Sequence, residues 1–154
     1  MEIRPFWKAS EIVCLFYSCG QPAPREKAAP SGETPAAVSL EAFADFPPEV
    51  DGCVCYYSKD KATFGQGQYL YVDDFDKQAW VKINGVLVKL MLTQSDTMPE
   101  MRTRKIFAND SYKLTIDVKQ VGQLDETWQQ EGTLNLQAGE HPSQSQSIYG
   151  ECGC

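Results

Sequence analysis

Apolar and polar residues alternate in short runs after Phe46-Pro47-Pro48, and turn residues separate these runs. Such a pattern predicts short β-strands that each have one apolar face. The clearest case is AWVKINGVLVKL, residues 79–90, in which Asn84-Gly85 is the preferred two-residue turn of a β-hairpin. Pairing across this turn places six apolar residues on one face, namely Ala79, Val81, Ile83, Val86, Val88 and Leu90. The opposite face carries Trp80, Lys82, Leu87 and Lys89.

The same alternation predicts further strands in residues 53–59, 68–72, 103–108, 111–121, 132–138 and 145–154. Together with the hairpin they indicate an all-β fold of about eight antiparallel strands, as a small barrel or a two-sheet sandwich. Residues 122–131 are expected to form a loop or a single helical turn. Few residues remain for helix elsewhere.

The composition narrows the range of partners. The 154 residues favour one domain, and 42% hydrophobic with 23% charged residues can build a soluble core. The net charge of -7 argues against binding to nucleic acid or to an anionic membrane surface, because both need clustered Lys and Arg. The densest basic cluster, residues 102–105, precedes an apolar pair and is predicted to be the solvated start of a strand, with contact to an anionic ligand as the less favoured alternative.

The N-terminus has the order of residues typical of an export signal. A basic start is followed by a short apolar run, residues 12–17, and Ser18 then precedes Cys19. The sequence LFYSC resembles the lipobox of bacterial lipoproteins. The resemblance implies that residues 1–18 are a signal peptide and that Cys19 carries a lipid that anchors the protein to a membrane. The alternative is that residues 9–18 form an amphipathic helix of an intracellular protein.

Residues 19–45 differ in composition from the rest of the chain. They are rich in Pro, Ala, Gly, Ser and Glu, and no aromatic residue precedes Phe43 in this segment. Such a segment buries too little apolar surface to fold by itself. It is expected to be a flexible linker between the lipid-anchor cysteine and a β-domain of residues 46–154.

Four of the six cysteines form two Cys-x-Cys pairs, Cys53 with Cys55 and Cys152 with Cys154. Side chains at positions i and i+2 of a strand face the same side, so the two members of each pair point together. If the first and last strands are neighbours, as in a closed barrel, all four sulfur atoms converge.

Three chemistries are compatible with these four cysteines. Directly opposite residues of an antiparallel pair come close enough for disulfides, which persist in the oxidising compartments that exported proteins meet. Four thiolates would also suit a Zn or Cu ion, although Cys-x-Cys is a tighter spacing than the usual one. Free or redox-active thiols are the third possibility.

The segments GCVCYYS, YVDD and YGECGC together resemble bacterial lipoproteins that end in Cys-Gly-Cys. The resemblance implies a periplasmic or surface-exposed β-domain at the bacterial cell envelope. No activity is known for that class, so the resemblance assigns no functional residue.

Other candidate sites have weaker patterns. His141 lies in a turn-like setting without a nucleophile elbow, and an exposed loop residue is expected. Asp73, Asp74 and Asp76 lack the loop pattern of a calcium site and are expected to form a solvated turn.

Aromatic residues are frequent near the first strands, and most are expected in the core or in cross-strand pairs. Tyr69, Tyr71 and Trp80 could present a ligand surface, since aromatic residues are enriched at recognition surfaces.

Two functions fit these features. The favoured one is a non-enzymatic envelope lipoprotein domain that binds a small-molecule ligand or a protein partner, with the four paired cysteines as a structural clamp. It is favoured because the sequence offers a tether and no convincing catalytic group. The alternative is a metal-handling protein, for Zn or Cu, or a thiol-redox protein in which the same cysteines form the working site.

Overall fold

The structure, a computed structural model, describes residues 37–154. Within this range it contains one short helix and nine strands: β1 (Leu40–Glu41), β2 (Val54–Ser58), α1 (Lys61–Gly65), β3 (Tyr71–Asp73), β4 (Gln78–Ile83), β5 (Val86–Met98), β6 (Arg102–Ala108), β7 (Tyr112–Leu124), β8 (Thr127–Ala138) and β9 (Gln144–Gly153). The predicted all-β class is confirmed. No helix in the described range is long and apolar enough to span a membrane. The predicted signal peptide, the lipidation site Cys19 and the linker up to residue 36 lie outside the described residues.

Strands β2 to β9 form a closed antiparallel barrel of eight strands in up-and-down order. Each strand pairs with the next one along the chain, and β9 pairs with β2, from Val54 opposite Gly153 to Ser58 opposite Tyr149. This last pairing decides in favour of a barrel over a sandwich. Closure leaves none of these eight strands as a free sheet edge.

Strand β1 lies outside the closed barrel and pairs with the second half of β4. Phe43 continues this edge by exchanging two backbone hydrogen bonds of 2.8 Å with Tyr69. Leu40 also packs against the barrel core. Residues 40–43 therefore belong with the folded domain, although their composition predicts a linker that extends to residue 45.

The hairpin of β4 and β5 has the predicted turn and register. Asn84 and Gly85 both have positive φ, at 49° and 80°. The predicted cross-strand pairs are observed: Ile83 with Val86, Val81 with Val88, and Ala79 with Leu90. Local turn chemistry and the apolar pattern agree here, which is why this part of the fold is predictable from short segments.

The connection between β7 and β8 differs from the prediction. Residues 122–131 form neither a loop nor a helical turn, because both strands continue through them as a long hairpin. Leu124 pairs with Thr127, and the tight turn between them includes Asp125, whose φ is 53°. This stretch is polar because its residues are exposed or half-buried, although the sheet continues through it.

The segment between β2 and β3 also differs in detail. The predicted strand at residues 68–72 is confirmed only in part, since β3 begins at Tyr71. The preceding helix α1, which the apolar pattern does not predict, is capped by Asp60. The carboxylate of Asp60 accepts a hydrogen bond of 2.7 Å from the Thr63 N–H, which satisfies one of the free donors at the helix start.

The apolar core fills the half of the barrel interior that lies towards the β4–β5 turn, and this region is named the closed half. Every second residue of each strand points into the barrel, and these inward side chains form the core. Complete burial stabilises each such side chain by about 1.5–3 kcal/mol. The residues that define the closed half are at most 3% exposed: Val81, Ile83, Leu90, Leu114, Leu134, Leu136 and Ile148.

Gly150 lets two strands of the barrel approach closely. It occupies an inward position of β9, opposite Tyr57 of β2. A Cβ atom at Gly150 would lie 2.7 Å from the Tyr57 Cα and 2.6 Å from its ring atom Cδ1. Barrels use inward glycines in this way, because a side chain there would prevent the strands from bending.

Candidate functional site

The two Cys-x-Cys pairs lie where β2 begins and β9 ends, and their cysteines form two disulfide bonds. Cys53 is bonded to Cys154, and Cys55 is bonded to Cys152. The antiparallel register explains this pairing, since Cys55 lies directly opposite Cys152. The predicted convergence of the four sulfur atoms and the predicted disulfide clamp are confirmed.

The two bridges differ in their surroundings. Cys154 is exposed, so the outer bridge holds the seam of the barrel at its surface. Cys55 and Cys152 are 2% and 5% exposed, and their bridge belongs to the wall of the barrel interior. The outer bridge therefore fastens the strands, whereas the inner bridge also shapes the interior.

Disulfide formation uses the thiolates that a Zn or Cu site would need as ligands. Among residues 37–154, no group of three or more His, Cys, Asp or Glu side chains is placed to hold a metal ion. The geometry of this part of the chain thus gives the metal-handling alternative no support.

The half of the interior next to the disulfides, named the open half, holds a cavity of ≈ 420 Å³. This size falls in the range of small-molecule sites, and the wall combines apolar side chains with a few polar groups, as such sites do. The cavity is lined by Cys55, Tyr57, Asp73, Phe75, Ser95, Thr103, Lys105, Ile116, Val118, Gln120, Trp128, Gln130 and Cys152.

A row of aromatic rings separates the cavity from the closed half. The ring centroids of Tyr57 and Tyr71 are 5.5 Å apart, and those of Tyr71 and Phe107 are 6.0 Å apart. Tyr57 lines the cavity, whereas Tyr71 and Phe107 are at most 1% exposed and lie deeper. Burial raises the pKa of Tyr57 and Tyr71 well above the usual value, and the charge of Asp73 adds to the effect. Both phenols therefore stay protonated and act as hydrogen-bond donors.

A buried ion pair joins Asp73 at the end of β3 to Lys105 of β6. The Lys105 Nζ lies 3.0 Å from the Asp73 Oδ2, and the two side chains are 17% and 2% exposed. The same Oδ2 accepts a hydrogen bond of 2.5 Å from the Tyr71 hydroxyl, and Oδ1 accepts one of 2.8 Å from the Phe75 N–H. Asp73 is therefore not part of a solvated turn as expected, because its register on β3 directs it into the barrel.

The basic cluster at residues 102–105 is solvated only in part. Arg102 and Arg104 point outward, where their guanidinium groups lie 2.8 and 2.6 Å from the carboxylate of Asp117. Lys105 has the opposite orientation, because it shares the inward positions of β6 with Phe107. The prediction of a fully solvated strand start is wrong for Thr103 and Lys105, which both line the cavity.

A second polar contact lies beside the inner disulfide. The Tyr57 hydroxyl donates a hydrogen bond of 2.5 Å to the Gln130 Oε1 and lies 3.3 Å from the Cys152 Sγ. This contact uses one of the two lone pairs of Oε1, so the two N–H donors of the amide are the larger share of this side chain left for a ligand.

The mouth of the cavity carries exposed apolar side chains. Phe75 lines the cavity and is 46% exposed, and its ring lies 5.3 Å from the Lys105 Nζ. Met101, in the connection between β5 and β6, and Val121 and Leu124, at the end of β7, lie at the same end of the barrel and are more than half exposed. An apolar body that enters the cavity thus meets apolar surface at its rim.

The three aromatic residues predicted as a ligand surface do not share one face. Tyr71 points into the barrel and is fully buried. Trp80 lies on the outer face of β4 and packs against Phe43 and Val72. Tyr69 packs against the edge of this same outer cluster. Their clustering in the sequence therefore does not become one surface in the fold.

The remaining candidates lie in turns. Asp74 lies between β3 and β4, and its Oδ1 accepts a hydrogen bond of 3.1 Å from the Asp76 N–H. His141 lies in the connection between β8 and β9, where its N–H donates a hydrogen bond of 3.0 Å to the Ala138 carbonyl. The turn that holds Asp74 and Asp76 reaches the cavity through Phe75, but the cavity lining contains neither of these two aspartates and not His141.

Sequence reasoning missed Gln130 as a member of a site, and it named Lys105 only within the basic cluster of residues 102–105, for which contact with an anionic ligand was the less favoured alternative. A usable signal was present, since each has the inward parity of its strand: Lys105 alternates with Phe107, and Gln130 alternates with Leu134. A polar residue at an inward position departs from the binary pattern, and such departures are expected at functional sites.

A second cleft of ≈ 360 Å³ lies between β1, α1 and β9. Of its lining residues, Leu70 is buried and the others are exposed or half-buried. Its lining includes neither a buried ion pair nor a disulfide, so the open half of the barrel is the stronger candidate.

Comparison of the chain with known proteins found no matching family model, no matching curated protein and no matching solved structure. The chemistry of the site therefore rests on its own residues and their geometry.

Proposed function

We propose that this protein is a non-enzymatic binding protein of the bacterial cell envelope that holds a small molecule in the cavity of the open half. The cavity itself carries the proposal, because its wall combines apolar side chains with a few convergent polar groups. A barrel of eight strands has an interior just wide enough to be filled by side chains or to hold one small ligand.

The polar groups around the cavity suit binding better than catalysis. The Asp73 carboxylate is occupied by three donors, from Tyr71, Phe75 and Lys105. The phenols of Tyr57 and Tyr71 are kept protonated by burial. A general base or nucleophile would need a free carboxylate, imidazole or activated hydroxyl in contact with the ligand, and these described side chains offer donors instead.

Two independent features support the proposed cellular location. Both disulfides are of the kind that persists in an oxidising compartment outside the cytoplasm. The apolar run and the Ser18-Cys19 step support export and lipid attachment at Cys19. An anchor there would hold the barrel at a membrane on its periplasmic or surface side.

Titration of the whole purified protein with N-phenyl-1-naphthylamine, a neutral dye that fluoresces in apolar surroundings, tests the cavity as a binding site. The substitution Gln120→Trp places an indole in the cavity, and Lys119→Trp places the same group on the outer face of the same strand. We expect saturable binding with the unmodified protein and with K119W, and binding at least about tenfold weaker with Q120W. Equal affinities in both variants would contradict the proposal, because they would place the dye elsewhere.

Metabolic labelling of bacteria with a palmitate analogue tests the anchor. Cys19→Ser is expected to abolish labelling and to move the protein from the membrane fraction to the soluble fraction. Cys14→Ser changes the other cysteine of the N-terminal segment and should leave both properties unchanged. Persistent labelling of C19S would show that the lipid, if any, is attached elsewhere.

A further inference from the structure

We propose that the cavity selects a small organic acid, with its carboxylate on Lys105 and its apolar body towards the mouth. This inference rests on the proposed binding function and adds the chemical class of the ligand. The basis for this ligand class is the division of the polar groups of the cavity into those that already bind another group of the protein and those that can still bind a ligand.

Asp73, the acidic member of the ion pair, has few acceptor sites left for a ligand. The carboxylate of Asp73 accepts from the Lys105 ammonium at 3.0 Å, from the Tyr71 hydroxyl at 2.5 Å and from the Phe75 N–H at 2.8 Å. Its side chain is 2% exposed. A cationic ligand would have to displace these internal donors to reach it.

The basic member of the pair remains available. An ammonium group has three donors, and the described contacts of Lys105 use one of them, on Asp73. Its side chain is 17% exposed and lines the cavity. The cavity therefore presents the positive end of the ion pair, and hydrogen bonds from a charged donor to a carboxylate are the strong ones.

The other polar groups of the wall are compatible with the same chemistry. The amide oxygen of Gln130 accepts from Tyr57, which uses one of its two lone pairs, and the amide nitrogen adds two N–H donors for a ligand. Thr103 and Ser95 add hydroxyl donors. These hydroxyl groups, like the amide of Gln120, can also accept, so they fit either kind of head group, and the charged donor on Lys105 decides in favour of an acceptor.

The apolar side chains at the mouth of the cavity match the apolar end of such an acid. Val118, Trp128 and Phe75 supply apolar and aromatic surface to the wall. A ligand with a flat apolar body and one carboxylate would bury both parts against matching groups, as occupants of such pockets do.

Three probes that share one ring system test the choice of head group: 2-naphthoate, 2-naphthamide and 2-naphthylmethylammonium. Calorimetric titration of the whole protein is expected to show 2-naphthoate binding about tenfold or more tightly than either of the other two. Equal or tighter binding of the amide or the ammonium compound would overturn the proposal.

Two variants locate the effect, and the first of them removes both charges of the ion pair together. Asp73→Asn combined with Lys105→Met removes both charges and should bring the affinities for the acid and the amide to about the same value. Asp73→Asn alone removes the competing negative charge and should tighten acid binding severalfold, whereas a purely structural role of the pair predicts weaker binding. Lys119→Met removes an outward-facing lysine as a matched control and should change neither affinity.

The outcomes separate this inference from the function on which it rests. Binding of N-phenyl-1-naphthylamine without preference for 2-naphthoate would overturn the acid specificity and leave the cavity as a binding site. Loss of binding for all four compounds would overturn both.

Discussion

The closed half and the open half of the barrel interior are built from the same alternating strands, and they hold opposite chemistry. In the closed half, aliphatic side chains such as Leu114 and Leu134 fill the space completely. In the open half, the strands carry Lys105, Asp73 and Gln130 at inward positions and leave a cavity of ≈ 420 Å³. Both disulfides lie in the open half or at its rim.

The difference shows how a small barrel can keep an empty space and remain stable. A cavity removes dispersion contacts from the atoms that line it, and the residues around it contribute less to stability than a packed core does. Cross-links act on the unfolded chain and do not need a filled interior. The two disulfides can therefore compensate for the packing that the open half lacks.

The largest effect is expected when all four paired cysteines are replaced by Ala. This variant removes both disulfides, which compensate for the cavity. In the chain-entropy model, one bridge across a separation of 101 or 97 residues stabilises by about 4–5 kcal/mol. The second bridge then closes only a small ring and adds about 2 kcal/mol. Loss of both should lower the free energy of unfolding by about 6 kcal/mol, measured by denaturant titration.

Removal of one bridge at a time sharpens the same comparison. C53A/C154A and C55A/C152A should each cost only about 2 kcal/mol, because the remaining bridge still closes the long loop. Single losses that add up to the loss in the quadruple variant would contradict this account. They would mean that each bridge acts through local contacts and not through the unfolded chain.

The next effect concerns the boundary between the halves. Gly150→Ala places a methyl group against the carbonyl oxygen of Tyr56 and against the backbone and ring of Tyr57, which lines the cavity. We expect a loss of about 3 kcal/mol or more, seen as a lower Tm, since the clash involves backbone that cannot move freely.

Gly65→Ala is the matched control for this change. Gly65 ends the helix α1, has no positive φ, and has no neighbouring atom within 4 Å of the position that an added methyl group would take. A change in Tm close to zero is expected, since surface substitutions are usually within about 0.5 kcal/mol. A loss in G65A equal to that in G150A would show that the clash with Tyr57 is not the cause.

The smallest effect compares two buried valines directly. Val81 lies in the closed half and is 0% exposed, and Val118 is 4% exposed and lines the cavity. Val81→Ala should cost about 2–3 kcal/mol, because it opens a new void in packed surroundings. Val118→Ala should cost about 1 kcal/mol, because it only enlarges an existing space. Equal losses by denaturant titration would mean that the cavity wall is packed as tightly as the core.

The features that were predictable depend on neighbouring residues. Asn84-Gly85 gives both the position of a turn and the register of its hairpin, because positive φ at two successive residues is a local requirement. The shared orientation of Cys53 and Cys55 follows from the two-residue period of a strand. These predictions need no information about the rest of the chain.

The features that were not predictable depend on strands that are distant in the sequence. Asp73 and Lys105 are separated by 32 residues, and each looks solvated in its own segment. The stretch at residues 122–131 is polar, and its strands become visible only through their pairing with each other. Composition correctly marks such residues as polar, but it does not show which strand they pair with or whether they face the solvent or the barrel interior.

The sequence alone determined where most strands and turns lie and which residues share a face, because alternation and turn conformation are properties of short segments. Only the tertiary structure decided that the sheet closes, that Cys55 meets Cys152, and that Lys105 faces a cavity beside Asp73. The physical reason is that closure fixes the register between β2 and β9. That register sets which inward side chains meet across the barrel, and no local pattern contains it.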